Sequence, residues 1–158
     1  NTLLKTNEKN GKIFICGNGG SANTASHFQS DLNKAFSISR ETSPAVCLND
    51  NIAVLTSISN DISYDDIFLN QIKYVLNEHD TLITISGSGN STNVVKAAEF
   101  AKKKGNTVIA FVGFDGGKLK KISDYSLHVN INNMQISEDM HLICCHLIST
   151  MIREDIKN

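Results

Sequence analysis

Short unbroken runs of apolar residues alternate along the chain with longer stretches where apolar positions recur every three or four residues. Runs at 13–16, 45–48, 81–85, 107–112 and 125–129 read as five strands. A strand buried on both faces carries no polar alternation, and the run at 107–112 is wholly apolar after its first residue. Helical periodicity predicts helices over about 21–34, 51–59, 64–76, from Ser91 to Lys104, briefly near Leu119, and over 134–156. Gly105 follows the fourth of these, where a helix end favours positive φ. Strands separated by helices, joined by right-handed crossovers, predict an α/β fold: a three-layer, doubly wound, five-stranded parallel sheet. No linker interrupts the pattern, so residues 1–158 are read as one domain.

The 158 residues suffice for a single buried core, and 41% hydrophobic with 20% charged residues is a globular composition. Fifteen basic against 16 acidic side chains leave a net charge of −1. That offers no broad basic surface and argues against nucleic acid as the main partner. No apolar run approaches the roughly 18 residues that a membrane span needs. Cys16, Cys47, Cys144 and Cys145 form no C-x-x-C pair, which suits reduced thiols of a cytoplasmic protein better than a disulfide or zinc framework. The chain begins at Asn1 without a signal-peptide pattern, and residues are expected upstream of it.

In an open α/β sheet, ligands bind beyond the carboxyl ends of the strands, where the strand order reverses. Two strand ends carry special bends before a helix: Gly17-Asn18-Gly19-Gly20-Ser21 and Ser86-Gly87-Ser88-Gly89-Asn90-Ser91. Glycines admit close approach of a ligand to the backbone, amides at a helix start attract an anion, and serines add uncharged donors. Together they describe a pocket for a phosphate monoester. Gly17, Gly19 and Ala22 also fit a dinucleotide fingerprint, but the next acid, Asp50, lies 28 residues beyond Ala22 rather than about 20. No nucleotide P-loop occurs.

Further candidates lie elsewhere. His27 and Asp31, four apart, share a helix face. Asn60 and Asp61 end another predicted helix, and Glu138, His141 and His146 belong to the last. Glu138 and His146 are eight apart, about 12 Å along a regular helix. They can share a ligand only if the helix begins after Glu138 or if they come from different subunits. His79 and His128 have no companions and read as structural or surface residues.

Gly17 to Ala22, Ala25-Ser26-His27-Phe28 through Asp31-Leu32, Asn60-Asp61, the Ser86–Ser91 bend, Asp115-Gly116-Gly117-Lys118, and Glu138-Asp139-Met140-His141 through His146 together resemble the sugar isomerase (SIS) domain family. More narrowly, the set resembles its phosphoheptose isomerase group. The resemblance implies a flavodoxin-like sheet, a further helix before the first strand, and a homotetramer with active sites between subunits. It also implies conversion of sedoheptulose 7-phosphate to D-glycero-D-manno-heptose 7-phosphate on the way to bacterial surface heptose. By position, Ser86, Ser88 and Ser91 hold the phosphate, Asn18, Gly19, Gly20, Asn60 and Asp61 contact the sugar, and Ser21, Gly87 and Glu138 belong to the same substrate-binding set. His27, Asp31, Glu138 and His146 match zinc ligands, and Asp31 and His146 match the acid/base pair. The chain departs from the group's pattern with Asp31 in place of glutamate, Glu138 in place of glutamine, and glycine at Gly87 where threonine is common.

Aldose–ketose exchange needs a base, an acid and an electropositive group near the carbonyl. The base is Asp31 or His146, and the resemblance leaves both open. The competing reading is a non-catalytic SIS protein, either one that binds a replication initiator or one that senses a sugar phosphate. Retention of both a carboxylate and a histidine favours the enzyme.

Overall fold

A computed structural model describes residues 1–39 and 44–157. Its elements run α1 Thr2–Glu8, β1 Ile13–Gly17, α2 Gly20–Phe36, β2 Ala45–Cys47, α3 Ile52–Asp61, α4 Leu69–Ile72 and β3 Thr81–Ser86. They continue with α5 Thr92–Lys103, β4 Thr107–Val112, α6 Gly117–Ile122, β5 Tyr125–His128 and α7 Met134–Lys157. The five strands pair in parallel, as the sequence pattern predicts, and their order is β2-β1-β3-β4-β5.

The apolar strands feed two cores because successive side chains leave opposite faces of a sheet. Phe14, Cys16, Leu82, Val108, Ala110 and Val112 pack on one face with Val94, Ala97, Ala98 and Ala101 of α5. Ile13, Ile15, Ile83, Ile85 and Phe111 pack on the other with Phe28, Leu32 and Phe36 of α2 and Cys145 and Ile152 of α7. Burial of this kind is worth roughly 1.5–3 kcal/mol per large side chain. It clamps α2 and α7 side by side beneath the sheet.

One predicted helix is corrected. Residues 64–76 form a 3-10 turn at Tyr64–Asp66, the single-turn α4 and then turns, rather than one helix. Ile67, Phe68, Ile72 and Leu76 all reach the core, so tertiary burial holds the segment without a continuous ladder. Gln71 adds two bonds, donating from Nε2 to the Leu48 and Ile67 carbonyls at 2.9 Å each. The described cysteines are free; Cys16, Cys47 and Cys145 are buried. Burial pushes the Cys47 thiol up to about 12, so it stays protonated. No helix among the described residues is long and apolar enough to cross a membrane.

β2 stops short of β1, and a side chain completes the missing rung. Asn49 accepts from the Gly17 amide at 3.2 Å and donates to the Gly17 carbonyl at 2.8 Å.

Candidate functional site

Strand order reverses between β1 and β3, and both special bends leave the sheet there, on neighbouring parallel strands. Gly17 ends β1 with no room for a side chain: a Cβ would lie 2.7 Å from the Ser21 carbonyl oxygen and 2.8 Å from that of Ile85. The turn passes through Gly19 at φ 55° into α2, which starts at Gly20. Asn18 crosses to the second bend, donating from Nδ2 to Asn93 Oδ1 at 2.8 Å and accepting from Asn93 Nδ2 at 3.0 Å. Ser21 is buried beneath the turn.

In the second bend, the Ser86 and Ser91 hydroxyls meet at 3.3 Å, at the entrance to α5. Gly87 lies against the Met134 side chain at the start of α7. Ser88 differs from its neighbours. Its Oγ accepts from the Asn90 amide at 3.2 Å, and the residue lines a separate hollow with Asn90, Phe114, Asp115, Asn130 and Asn132.

A cavity of about 520 Å³ opens beside the first bend, lined by Asn18, Gly19, Asn49, Ser59, Asn60 and Tyr64 among others. Asn60 thus faces the Asn18 side of the site, and its Nδ2 donates to Asp61 Oδ1 at 2.8 Å. Tyr64 was not singled out by sequence, yet its hydroxyl donates to Asn18 Oδ1 at 2.9 Å.

Packing of α2 on α7 brings the ionisable group together. His27 Nε2 and His146 Nε2 lie 2.9 Å apart, with Asp31 Oδ2 3.4 Å from the first and 3.9 Å from the second. Both imidazoles are half exposed, so a ligand can reach them. Ligand atoms of a tetrahedral zinc stand roughly 3.3 Å apart for bonds of about 2.05 Å. The three observed separations bracket that value, and two imidazole nitrogens with a carboxylate are a fitting zinc donor set. The described residues therefore hold a His/Asp/His group that fits a metal ion.

Glu138 lies outside this group. Its carboxylate rests on the first turn of α2, where a Gly20 Cβ would come within 2.7 Å of Oε1. It shares a smaller cavity with Gly20, Asn23, Thr24 and His27. α7 runs unbroken through Glu138 and His146, so a helix beginning after Glu138 is excluded as the way to unite them. His141 is fully buried beside Phe111, its ring centroid 5.9 Å from that of the phenyl, and is no part of the cluster. Burial pushes its imidazole below the usual range. The Val112 backbone opposes this only in part, because neither ring nitrogen gains a hydrogen bond of full geometry. His128 is structural: its Nε2 pairs with the Phe114 carbonyl at 2.8 Å.

The SIS domain family model matches residues 1–113. The phosphoheptose isomerase of Helicobacter pylori strain P12 is 41% identical over 150 residues, 95% of this chain and 78% of that one. The chain belongs to the phosphoheptose isomerase group of the SIS domain family. Solved structures agree. The phosphoheptose isomerase of Neisseria gonorrhoeae superposes with a TM-score of 0.90 at 33% identity, over 97% of this chain and 82% of that one. That of Francisella tularensis gives 0.88 at 32%, over 97% and 84%. The sheet order, the paired bends and the histidine–carboxylate group are thus set in the fold that the family shares.

Proposed function

We propose that this chain isomerises sedoheptulose 7-phosphate to D-glycero-D-manno-heptose 7-phosphate. The observation that carries the reading is the His27–Asp31–His146 group, whose first two members lie on α2, the helix that begins at the first bend, and whose third comes from α7. In the ketose-to-aldose direction a base removes a proton from C1, the C2 carbonyl becomes an enediol, and C2 is reprotonated while a proton passes from O1 to O2. Asp31 or His146 takes the carbon-bound proton, and the other moves the proton between oxygens. Ser86 and Ser91, with the amides opening α5, hold the phosphate monoester; Ser88 joins them by turning its hydroxyl from Asn90. Gly19, Gly20, Asn60 and Asp61 bound the sugar and Asn18 reaches its oxygens, while Ser21, buried beneath the turn, supports the bend from below.

A zinc ion held by His27, Asp31 and His146 would supply positive charge to polarise the carbonyl. Glu138 would complete the donor set from a neighbouring subunit, since its own chain's cluster lies apart from it. A homotetramer is supported by an uncovered apolar stripe along α7. Ile136, Met140, Ile143, Leu147 and Met151 follow spacings of four, three, four and four, and all are exposed. The reading as a non-catalytic binder is less well supported, because a carboxylate, Asp31, and a histidine, His146, remain at the positions of the acid/base pair.

The test is incubation with sedoheptulose 7-phosphate, following aldose formation with and without a chelator. Asp31→Asn, nearly isosteric, is expected to lower turnover about 10²–10⁴-fold, the usual share of a positioned base. Wild-type turnover in Asp31→Asn would remove that carboxylate from the mechanism. No turnover by the unmodified protein refutes the reading.

A further inference from the structure

A side-chain amide has nearly the same shape when its oxygen and nitrogen are exchanged, so its orientation must be set by a neighbour with only one role to play. The Val94 backbone amide, in the first turn of α5, is such a neighbour. It can only donate, and it donates to Asn93 Oδ1 at 2.9 Å. With that oxygen fixed, Asn93 Nδ2 must face Asn18, where it donates to Oδ1. Asn18 Nδ2 in turn donates back to Asn93 Oδ1. Tyr64 adds its hydroxyl proton to the same Asn18 oxygen. A carboxamide oxygen has two lone pairs and its nitrogen two hydrogens. Both lone pairs of Asn18 are therefore used, and one Nδ2 hydrogen is left. Turning Asn18 over would set its nitrogen against the Asn93 nitrogen, and turning both would set a donor against the Val94 amide.

Asn93 is 2% exposed and does not line the cavity beside the first bend, whereas Asn18 and Tyr64 do. We propose that Asn93 and Tyr64 are positioning residues that hold the Asn18 carboxamide so that it meets the sugar only as a donor, with one Nδ2 hydrogen. That hydrogen bonds the sugar oxygen that gains negative charge as the enediol forms. Bonds to a charged oxygen are about twice as strong as neutral ones, so this donor favours the transition state over bound substrate. The inference rests on the isomerase reading and adds a chain of command to it: helix start, Asn93, Asn18, substrate oxygen.

Asn93→Asp tests it. The aspartate still accepts from Val94 and from Asn18 Nδ2 but cannot donate to Asn18 Oδ1. With sedoheptulose 7-phosphate, kcat is expected to fall about 100-fold, the scale of losing one oriented donor, with KM within about threefold of the parent. Tyr64→Phe removes one exposed hydroxyl; kcat should fall about threefold to tenfold at unchanged KM. The double variant should lose less than the product of the two, since both act on one oxygen. Parental kcat in Asn93→Asp overturns the proposal, as does a loss carried wholly by KM. Should Asn93→Asp fail to fold, parental kcat in Tyr64→Phe overturns it. If the unmodified protein shows no turnover, the isomerase reading fails, and proton exchange of ¹⁵N-labelled side chains decides this one separately. One slow and one fast Asn18 carboxamide proton support it, and two equally fast protons overturn it.

Discussion

Gly17→Ala is expected to damage stability and turnover together. The new Cβ would lie 2.7 and 2.8 Å from the carbonyl oxygens of Ser21 and Ile85, one in each wall of the strand switch. Both obstacles are backbone, so no side chain can swing aside. Ordinary contact begins near 3.4 Å, so the first turn of α2 must retreat from the new Cβ by roughly 0.7 Å and the end of β3 by roughly 0.6 Å. Overfilling a packed interior costs about 1–3 kcal/mol, and rigid backbone on both sides places this near the top of that range. At about 2–4 °C per kcal/mol for a chain of this size, the melting temperature should fall by about 5–10 °C. A misplacement of about 1 Å can cost 10²-fold in rate, so kcat/KM should fall roughly tenfold. Gly105→Ala is the matched control. Gly105 has φ +85° with nothing within 4 Å of a built Cβ. Alanine there pays about 1–2 kcal/mol of backbone strain, far from the bends, and should melt lower without losing activity. Calorimetry and initial-rate kinetics on both variants decide. Parental activity in Gly17→Ala, or equal activity losses in both, would show that this contact does not register the two bends.

His141→Leu should gain stability relative to the parent as the pH is lowered from 8 to 5. Burial depresses the folded imidazole, so the unfolded chain takes up the proton first and the parent weakens as pH falls below about 6.5; a melting-temperature gap that stays constant with pH would contradict this. Elemental analysis should find zinc in the purified protein, and His27→Ala and His146→Ala should each lose it along with turnover. Leu147→Glu, placed in the exposed stripe of α7, should lower the sedimenting mass without unfolding the chain. Asp124→Asn should destabilise at neutral pH and converge with the parent in acid. Partial burial works against the ionised carboxyl, but Lys102 and the Val108 amide hold it below its ordinary range, so its contribution exists above about pH 4 and is lost beneath it.

The parallel sheet and its layering were legible because continuous apolar runs such as 107–112 admit only a sheet covered on both faces, whereas the strand order came from the structure. The two bends were legible as glycine and serine clusters at strand ends. The break in 64–76 was not. Phe68, Ile72 and Leu76 keep helical spacing, and only their burial against the sheet reveals that the chain turns between them. Ser88 looked equivalent to Ser86 and Ser91, and its capture by the Asn90 amide depends on turn geometry that spacing does not encode. Glu138 was grouped with the histidines by resemblance, whereas an unbroken α7 sets it more than two turns from His146. Asn93 and Tyr64 escaped notice for a simpler reason: each meets Asn18 across dozens of residues, and neither carries a charge that draws the eye.

The carboxamide of Asn49 does for Gly17 what a peptide unit of an adjoining strand would otherwise do. The sheet edge can therefore finish early at Cys47 without orphaning the backbone above it. Had β2 continued by another pair of residues, ordinary ladder bonds would have served Gly17 equally well, and the extra main chain would have run into the hollow that Asn49 now floors. The room available to a ligand at this end is owed to a truncation, with a single amide group standing in for the missing strand.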